Sequence, residues 1–308
     1  MLKIYQNTLR NPVNFSGIGL HSGQMTKITI LPSESDKGII FIRKDLKNNN
    51  VVEAKYDNVT STKLCTTLEN KHGVKISTVE HLLAALYIAE IDNAVIELNN
   101  EEVPIMDGSA KEFLRILKNA EIKELTKKRK YLKVINKVEL KDGNKKIYIE
   151  PNNSSFEVNF HLNYENKIIG DQNNLVNFQN DDLENIYESR TFCLHDDIKN
   201  IKKIGLAKGG SLDNAIVVDK EKVLNDGGLR NNKEFVNHKI LDLAGDFLLS
   251  GYRVLGRVVC HQGGHDLTNK FLRKLLDTRS AIKDFQIKNL DIPKKISTEE
   301  SIKLAVNA

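Results

Sequence analysis

Residues 235–247, Phe-Val-Asn-His-Lys-Ile-Leu-Asp-Leu-Ala-Gly-Asp-Phe, constrain the fold more than any other stretch of this chain. Wound as an α-helix, they put Ile240, Leu241, Leu243, Ala244, Phe247 and Leu248 on one broad arc, which must pack on a core. His238, Asp242 and Asp246 stand one turn apart on the other side, with Lys239 beside them. A His and an Asp at i and i+4 point the same way and can share one cation. An amphipathic helix also carries such residues as solvated surface, so the spacing alone leaves both readings open.

Earlier in the chain, Val13–Gly23 reads as a strand with a close turn, because its glycines break any helix. Thr26–Leu31 and Gly38–Arg43 alternate as strands do. Ser77-Thr78-Val79-Glu80 has the spacing of a capping box, and Leu82, Leu83, Leu86 and Ile88 continue it as a helical stripe. Ala94–Leu98 then reads as a strand and Ala110–Asn119 as an amphipathic helix. Residues 123–130 lack an apolar period and carry a block of positive charge, which predicts a linker.

Beyond it, a hairpin about Asp142-Gly143, a strand at Phe156–Leu162 and helices at Asp181–Ser189 and His195–Ile204 are expected. Ala215–Val218 reads as a strand. The helix of residues 235–247 precedes a strand at Arg253–Cys260, a Gly263-Gly264 turn and a helix to about Asp277. The two halves therefore list their elements in one order, each with early strands, a His-bearing helix (His81, then His238), a strand, a glycine turn and a helix. That order predicts an α+β protein of two similar two-layer βααβ-type domains from an internal duplication, each with an insert near the site. The expected divisions are 1–122, a linker at 123–130, 131–284 and a tail at 285–308.

If the two His-bearing helices meet, His81 joins His238 and Asp242 as a two-His, one-Asp set. Three N/O ligands with a position left for water is the pattern of catalytic zinc. Glu80, next to a ligand, is then the candidate base, with the helix cap as its structural alternative. His265, on the glycine turn, can serve as acid with Asp246 orienting its ring, or can be a solvated turn residue. The hydroxyl of Thr191 can reach an oxyanion, although one Thr in isolation says little.

Bulk properties narrow the setting. The chain has 308 residues, 40% hydrophobic and 28% charged, as a globular protein does. A net charge of +5 suits an anionic small substrate or a membrane surface and is too diffuse to argue for nucleic acid. Three cysteines with no knuckle spacing favour a reducing compartment, and no signal peptide or spanning segment is visible, so a cytoplasmic protein is expected.

Several motifs together carry a specific resemblance. They are Ser-Gly-Ile-Gly-Leu-His-Ser-Gly (16–23), Ile-Ser-Thr-Val-Glu-His-Leu-Leu-Ala-Ala-Leu (76–86), Met-Asp-Gly-Ser-Ala (106–110) and Ser-Arg-Thr-Phe (189–192). Gly-Gly-Ser-Leu-Asp-Asn-Ala-Ile-Val (209–217), Val-Leu-Asn-Asp-Gly-Gly-Leu-Arg (223–230) and His-Lys-Ile-Leu-Asp-Leu-Ala-Gly-Asp (238–246) complete the set. In collinear order from about residue 8 to about 280, the chain resembles the UDP-3-O-acyl-N-acetylglucosamine deacetylases, zinc amidases of the committed step of lipid A synthesis.

The resemblance implies one Zn2+ per chain on His81, His238 and Asp242, with Glu80 as base and His265, backed by Asp246, as acid or electrostatic stabiliser. It implies substrate or oxyanion contacts from Thr191 and Lys239, a substrate contact at Gly210, and Phe192 beside an acyl passage. A small-molecule substrate, a monomer and no stable membrane insertion are expected with it. The chain departs from the family pattern at Asp266 and Thr268, at Gln262 in place of a common Lys or Arg, and at Cys193 in place of a usual Gly. Two rival classes remain at this stage. One is a His-Asp metal phosphohydrolase, suggested by His195-Asp196 but normally all-helical. The other is a catalytically silent sugar-nucleotide-binding protein.

Overall fold

A computed structural model describes residues 2–287, so the expected tail lies outside the described residues from position 288 onward. The chain is α+β, as expected. The described residues form six α-helices, α1 (Glu80–Ile88), α2 (Lys111–Ala120), α3 (Glu184–Tyr187), α4 (His195–Lys203), α5 (Glu234–Leu248) and α6 (His265–Asp277). No helix among the described residues is long and apolar enough to cross a membrane.

The first half builds a five-stranded sheet in the order Val13–Ile18, Met25–Pro32, Ala94–Leu98, Ile39–Arg43, Val51–Glu53. Ala94–Leu98 runs parallel to Ile39–Arg43 and antiparallel to Met25–Pro32. The strands alternate buried and exposed residues, so each gives one face to the core. In the second half Arg253–His261 is central. It pairs antiparallel with Lys145–Glu150 and parallel with both Tyr131–Val134 and Phe156–Asn163. Its burial on both faces explains the near-continuous apolar run of its sequence.

A strand, Ile122–Lys128, runs through most of residues 123–130 and pairs antiparallel with Tyr5–Leu9. Most of its side chains are exposed, so no hydrophobic alternation marks it in the sequence. Arg129, directly after it, is buried and donates to Asp92 Oδ2 at 2.9 Å, while Arg253 donates to Asp92 Oδ1 at 3.0 Å and to the Tyr87 carbonyl at 2.6 Å. A buried guanidinium is tolerated only when paired in this way, and here both tie the second half to the end of α1.

The helix α1 has almost no exposed face, since every residue from Glu80 to Tyr87 is buried. In α5 every residue except Lys239 is buried. The apolar arc of α5 packs inward as its sequence predicts, with Phe247 against Phe156 and Phe271. Its polar arc is buried as well, because α1 crosses it there. Gly245 permits the crossing. A Cβ at that position would lie 2.1 Å from the Glu80 carbonyl oxygen and 3.0 Å from the Ala84 nitrogen. Only hydrogen fits, and the backbones meet with Glu80 and His81 over the polar arc of α5.

Candidate active site

The crossing brings the expected site residues together. His238, Asp242 and Asp246 are 1%, 5% and 3% exposed, so the solvated-surface reading of this helix face is excluded. His81 Nε2 lies 3.5 Å and His238 Nε2 3.3 Å from Asp242 Oδ1. One ligand atom from each of the three residues falls within 4.8 Å of the others.

None of these separations is a hydrogen bond, and Asp242 Oδ1 is buried without a hydrogen-bond partner. Such an atom is costly unless something else satisfies it. The donor set, two imidazoles and one carboxylate oxygen turned on a common point, fits a divalent cation. His238 Nδ1 is 3.0 Å from the Ser189 carbonyl, which accepts its proton and leaves Nε2 with a free lone pair. Burial pushes the His238 imidazolium down to about 3, so the ring is neutral and able to ligate.

Around this centre the charges are paired. Burial opposes the charge of Asp242, but the flanking imidazole of His238 and the Lys239 ammonium, 3.0 Å from Oδ2, hold its carboxyl well below the usual range. Burial likewise works against the Lys239 ammonium, and Asp242 outweighs it, so this lysine stays charged.

Glu80 does not cap its helix, contrary to the capping-box expectation. The N-cap position of α1 is Val79 and no side chain caps it. Glu80 Oε2 instead accepts from the Thr66 amide at 3.0 Å. Burial pushes its carboxyl up, with the His265 and His81 rings pulling the other way. Its Oε1 stands 3.7 Å from His265 Nε2.

His265 is not a solvated turn residue. It is the first residue of α6, and its Nδ1 lies 2.8 Å from Asp246 Oδ2. Burial disfavours its charged form, but Asp246 and Glu80 overcome this and raise the imidazolium to about 10. Thr66 Oγ1 donates to the other Asp246 oxygen at 2.7 Å.

A cavity of about 230 Å³ opens over these groups and is also lined by Thr191, Phe192, Tyr164 and Cys193. Phe192 packs edge-on to Phe235, with Lys239 Nζ 5.4 Å from its ring centre. A second cavity of about 300 Å³ shares Leu20, Leu64, Thr191, Phe192, Cys193 and Ile201 with the first and continues past Ile198, Leu212 and Val217. Gly210 lines this second cavity and not the first. His195 also lines it, exposed at the start of α4, so His195-Asp196 is not part of the His81 cluster.

Two departures acquire a setting. Gln262 donates to the Asn163 carbonyl at 2.6 Å, and Cys193 carries a half-buried thiol pushed up by burial. Three contributors escaped sequence reasoning. Thr66 serves both Glu80 and Asp246, the Ser189 carbonyl fixes His238, and Arg190 pairs with Glu234 at 2.8 Å, pinning residues 189–192 to α5. Arg190 in its Ser-Arg-Thr-Phe run was the one visible signal.

The family described as UDP-3-O-acyl N-acetylglycosamine deacetylase matches residues 6–277. The chain is 42% identical over 273 residues to the UDP-3-O-acyl-N-acetylglucosamine deacetylase of Geotalea uraniireducens, covering 88% of each chain. It is 40% identical over 281 residues to the protein of that name from Haemophilus ducreyi, covering 90% of this chain and 92% of the relative. Against the same-named protein of Shewanella baltica it is 40% identical over 295 residues, covering 94% and 96%. The chain belongs to the UDP-3-O-acyl N-acetylglycosamine deacetylase family.

Proposed function

We propose that this chain removes the N-acetyl group of UDP-3-O-acyl-N-acetylglucosamine, the committed step of lipid A synthesis, with one zinc ion held by His81, His238 and Asp242. The observation that carries the reading is the buried, unsatisfied Asp242 oxygen facing two imidazoles, with a carboxylate and a charged histidine beside it. A zinc ion held there would polarise an amide carbonyl and make water acidic near neutral pH.

Glu80 takes the proton of the attacking water, a role helped by a carboxyl that burial makes more basic. The C–N bond breaks, acetate leaves, and the amine takes a proton from His265 Nε2. Asp246 holds the ring through Nδ1, so the proton to be given is the one on the side of Glu80 and Asp242. Lys239 and Thr191 face the same cavity, where an ammonium and a hydroxyl can steady the developing oxyanion. The second cavity, between Phe192 and α4 and past Gly210, takes the acyl chain. We read the chain as two domains, 1–122 and 131–284, that share this site, and the protein as a cytoplasmic monomer.

The test is acetate release from the acylated sugar nucleotide by the purified protein, before and after chelation and zinc return. Release that chelation abolishes and zinc restores is expected. No release from the zinc-loaded protein would overturn the assignment.

A further inference from the structure

Nine large hydrophobic side chains are exposed among the described residues, and five of them lie on or beside segments that line the apolar cavity. Leu212 lines the apolar cavity and Leu64 lines both cavities, yet they are 47% and 50% exposed, so they stand where the cavities open to solvent. Ile204 caps α4, whose Ile198 and Ile201 form one wall. Ile18 reaches Gly209, since a Cβ there would lie 2.6 Å from Ile18 Cγ2, and Gly210 next to it lines the cavity. Met25 is the cross-strand partner of Ile18 and so stands on the same exposed face.

Exposed lysines lie next to these side chains along the chain, on α4 and beside Leu64, Ile204 and Gly209. They are Lys27, Lys63, Lys199, Lys202, Lys203 and Lys208. None has a carboxylate partner among the described residues, whereas Lys44, Lys111, Lys130 and Lys270 elsewhere on the surface do. The nearby acids Asp196 and Asp197 lie in the first turn of α4, at the opposite end from Lys202 and Lys203. Asp213, next to Leu212, is exposed as well.

We propose that this face docks on an anionic lipid bilayer, with the apolar rim entering the headgroup layer and the lysines contacting lipid phosphates. The inference rests on the reading of the cavity as an acyl passage. An apolar rim inside a basic frame is the pattern that binds anionic membrane surfaces without spanning them. A second copy of this chain is a poor occupant, because a two-fold contact would set these lysines against themselves. A mouth opening onto lipid also lets the far end of a long acyl chain avoid water while its sugar nucleotide remains at the polar site.

The experiment is co-sedimentation of the full chain with vesicles of phosphatidylcholine alone, or mixed with phosphatidylglycerol, at low and at high salt. Binding to the mixed vesicles that salt weakens is expected, with little binding to phosphatidylcholine. Each basic residue near an anionic surface is worth roughly a factor of five, so Lys203→Glu with Lys208→Glu should bind on the order of 25-fold or more weakly. Ile204→Ser should weaken it separately. These variants should melt like the wild type and deacetylate a soluble short-chain substrate at the wild-type rate.

Absent binding, equal binding to both vesicles, or unchanged binding by the charge-reversed protein would overturn the inference. So would a dimer that the same variants dissolve. Vesicle binding needs no turnover, so a protein that deacetylates and ignores vesicles contradicts the docking alone. One that binds vesicles and releases no acetate contradicts the deacetylase reading alone.

Discussion

His265 Nδ1 and Asp246 Oδ2 lie 2.8 Å apart, the ring at the first residue of α6 and the carboxylate near the end of α5. The pair sets the charge of the ring. Burial alone would keep His265 neutral, and Asp246 with Glu80 raises it to about 10. Because the folded value exceeds the ordinary 6.5, the charged ring contributes stability below 6.5 that is lost as pH rises through about 10. In Asp246→Asn the alkaline limb of the kcat/KM profile should therefore move to lower pH, with kcat reduced. An alkaline limb that stays in place would show that His265 is not the group titrating there.

Glu80→Gln should keep the fold and the metal, since the amide oxygen can still accept from the Thr66 N–H. It cannot take a proton, and kcat should fall by roughly 10²–10⁴. Metal content and kcat measured on one preparation separate a base from a residue that only shapes the site.

Gly245→Ala should disturb the site although residue 245 gives it no side chain. Its new methyl would meet the Glu80 carbonyl, backbone that cannot swing aside, so α1 and α5 must separate. Overpacking of this kind costs about 1–3 kcal/mol or more. A lower Tm together with weaker metal retention is expected. Unchanged metal content at a lowered Tm would mean the helix crossing does not set the donor geometry.

Cys193 should report on the acyl passage. Burial pushes the thiols of Cys65 and Cys260 up to about 12, and both are buried, so neither should alkylate readily near pH 8. Cys193 is half-buried and lines both cavities, so it should be labelled first, and a long-chain acylated substrate should protect it. Each buried CH₂ is worth about 0.8 kcal/mol, so a chain of about ten carbons can contribute several kcal/mol to binding. Peptide mass spectrometry reads the labelling. Protection equal to that by a sugar nucleotide without the chain would contradict the passage.

The sequence shows much of this because its strongest signals are local and periodic. The polar arc of α5 is spelled out at 238, 242 and 246, and the paired order of elements led from it to His81. What the spacing could not show is that the polar arc is buried, since that depends on α1 crossing at Gly245. Thr66 stands 180 positions from Asp246, and its service to Glu80 uses a backbone N–H that any residue but proline offers. The Ser189 carbonyl is equally silent in a sequence. At Ser77–Glu80 the local pattern misled, because Glu80 has a partner in Thr66 and leaves the helix uncapped.

The most direct test of the account is the metal content of the purified protein and of His81→Ala, His238→Ala and Asp242→Ala, each dialysed against a weak chelator and then loaded with zinc. One ion per wild-type chain is expected, with loss of tight binding and of acetate release in all three variants. Full occupancy in the His81→Ala protein would contradict it, because α1 would then contribute nothing to the metal.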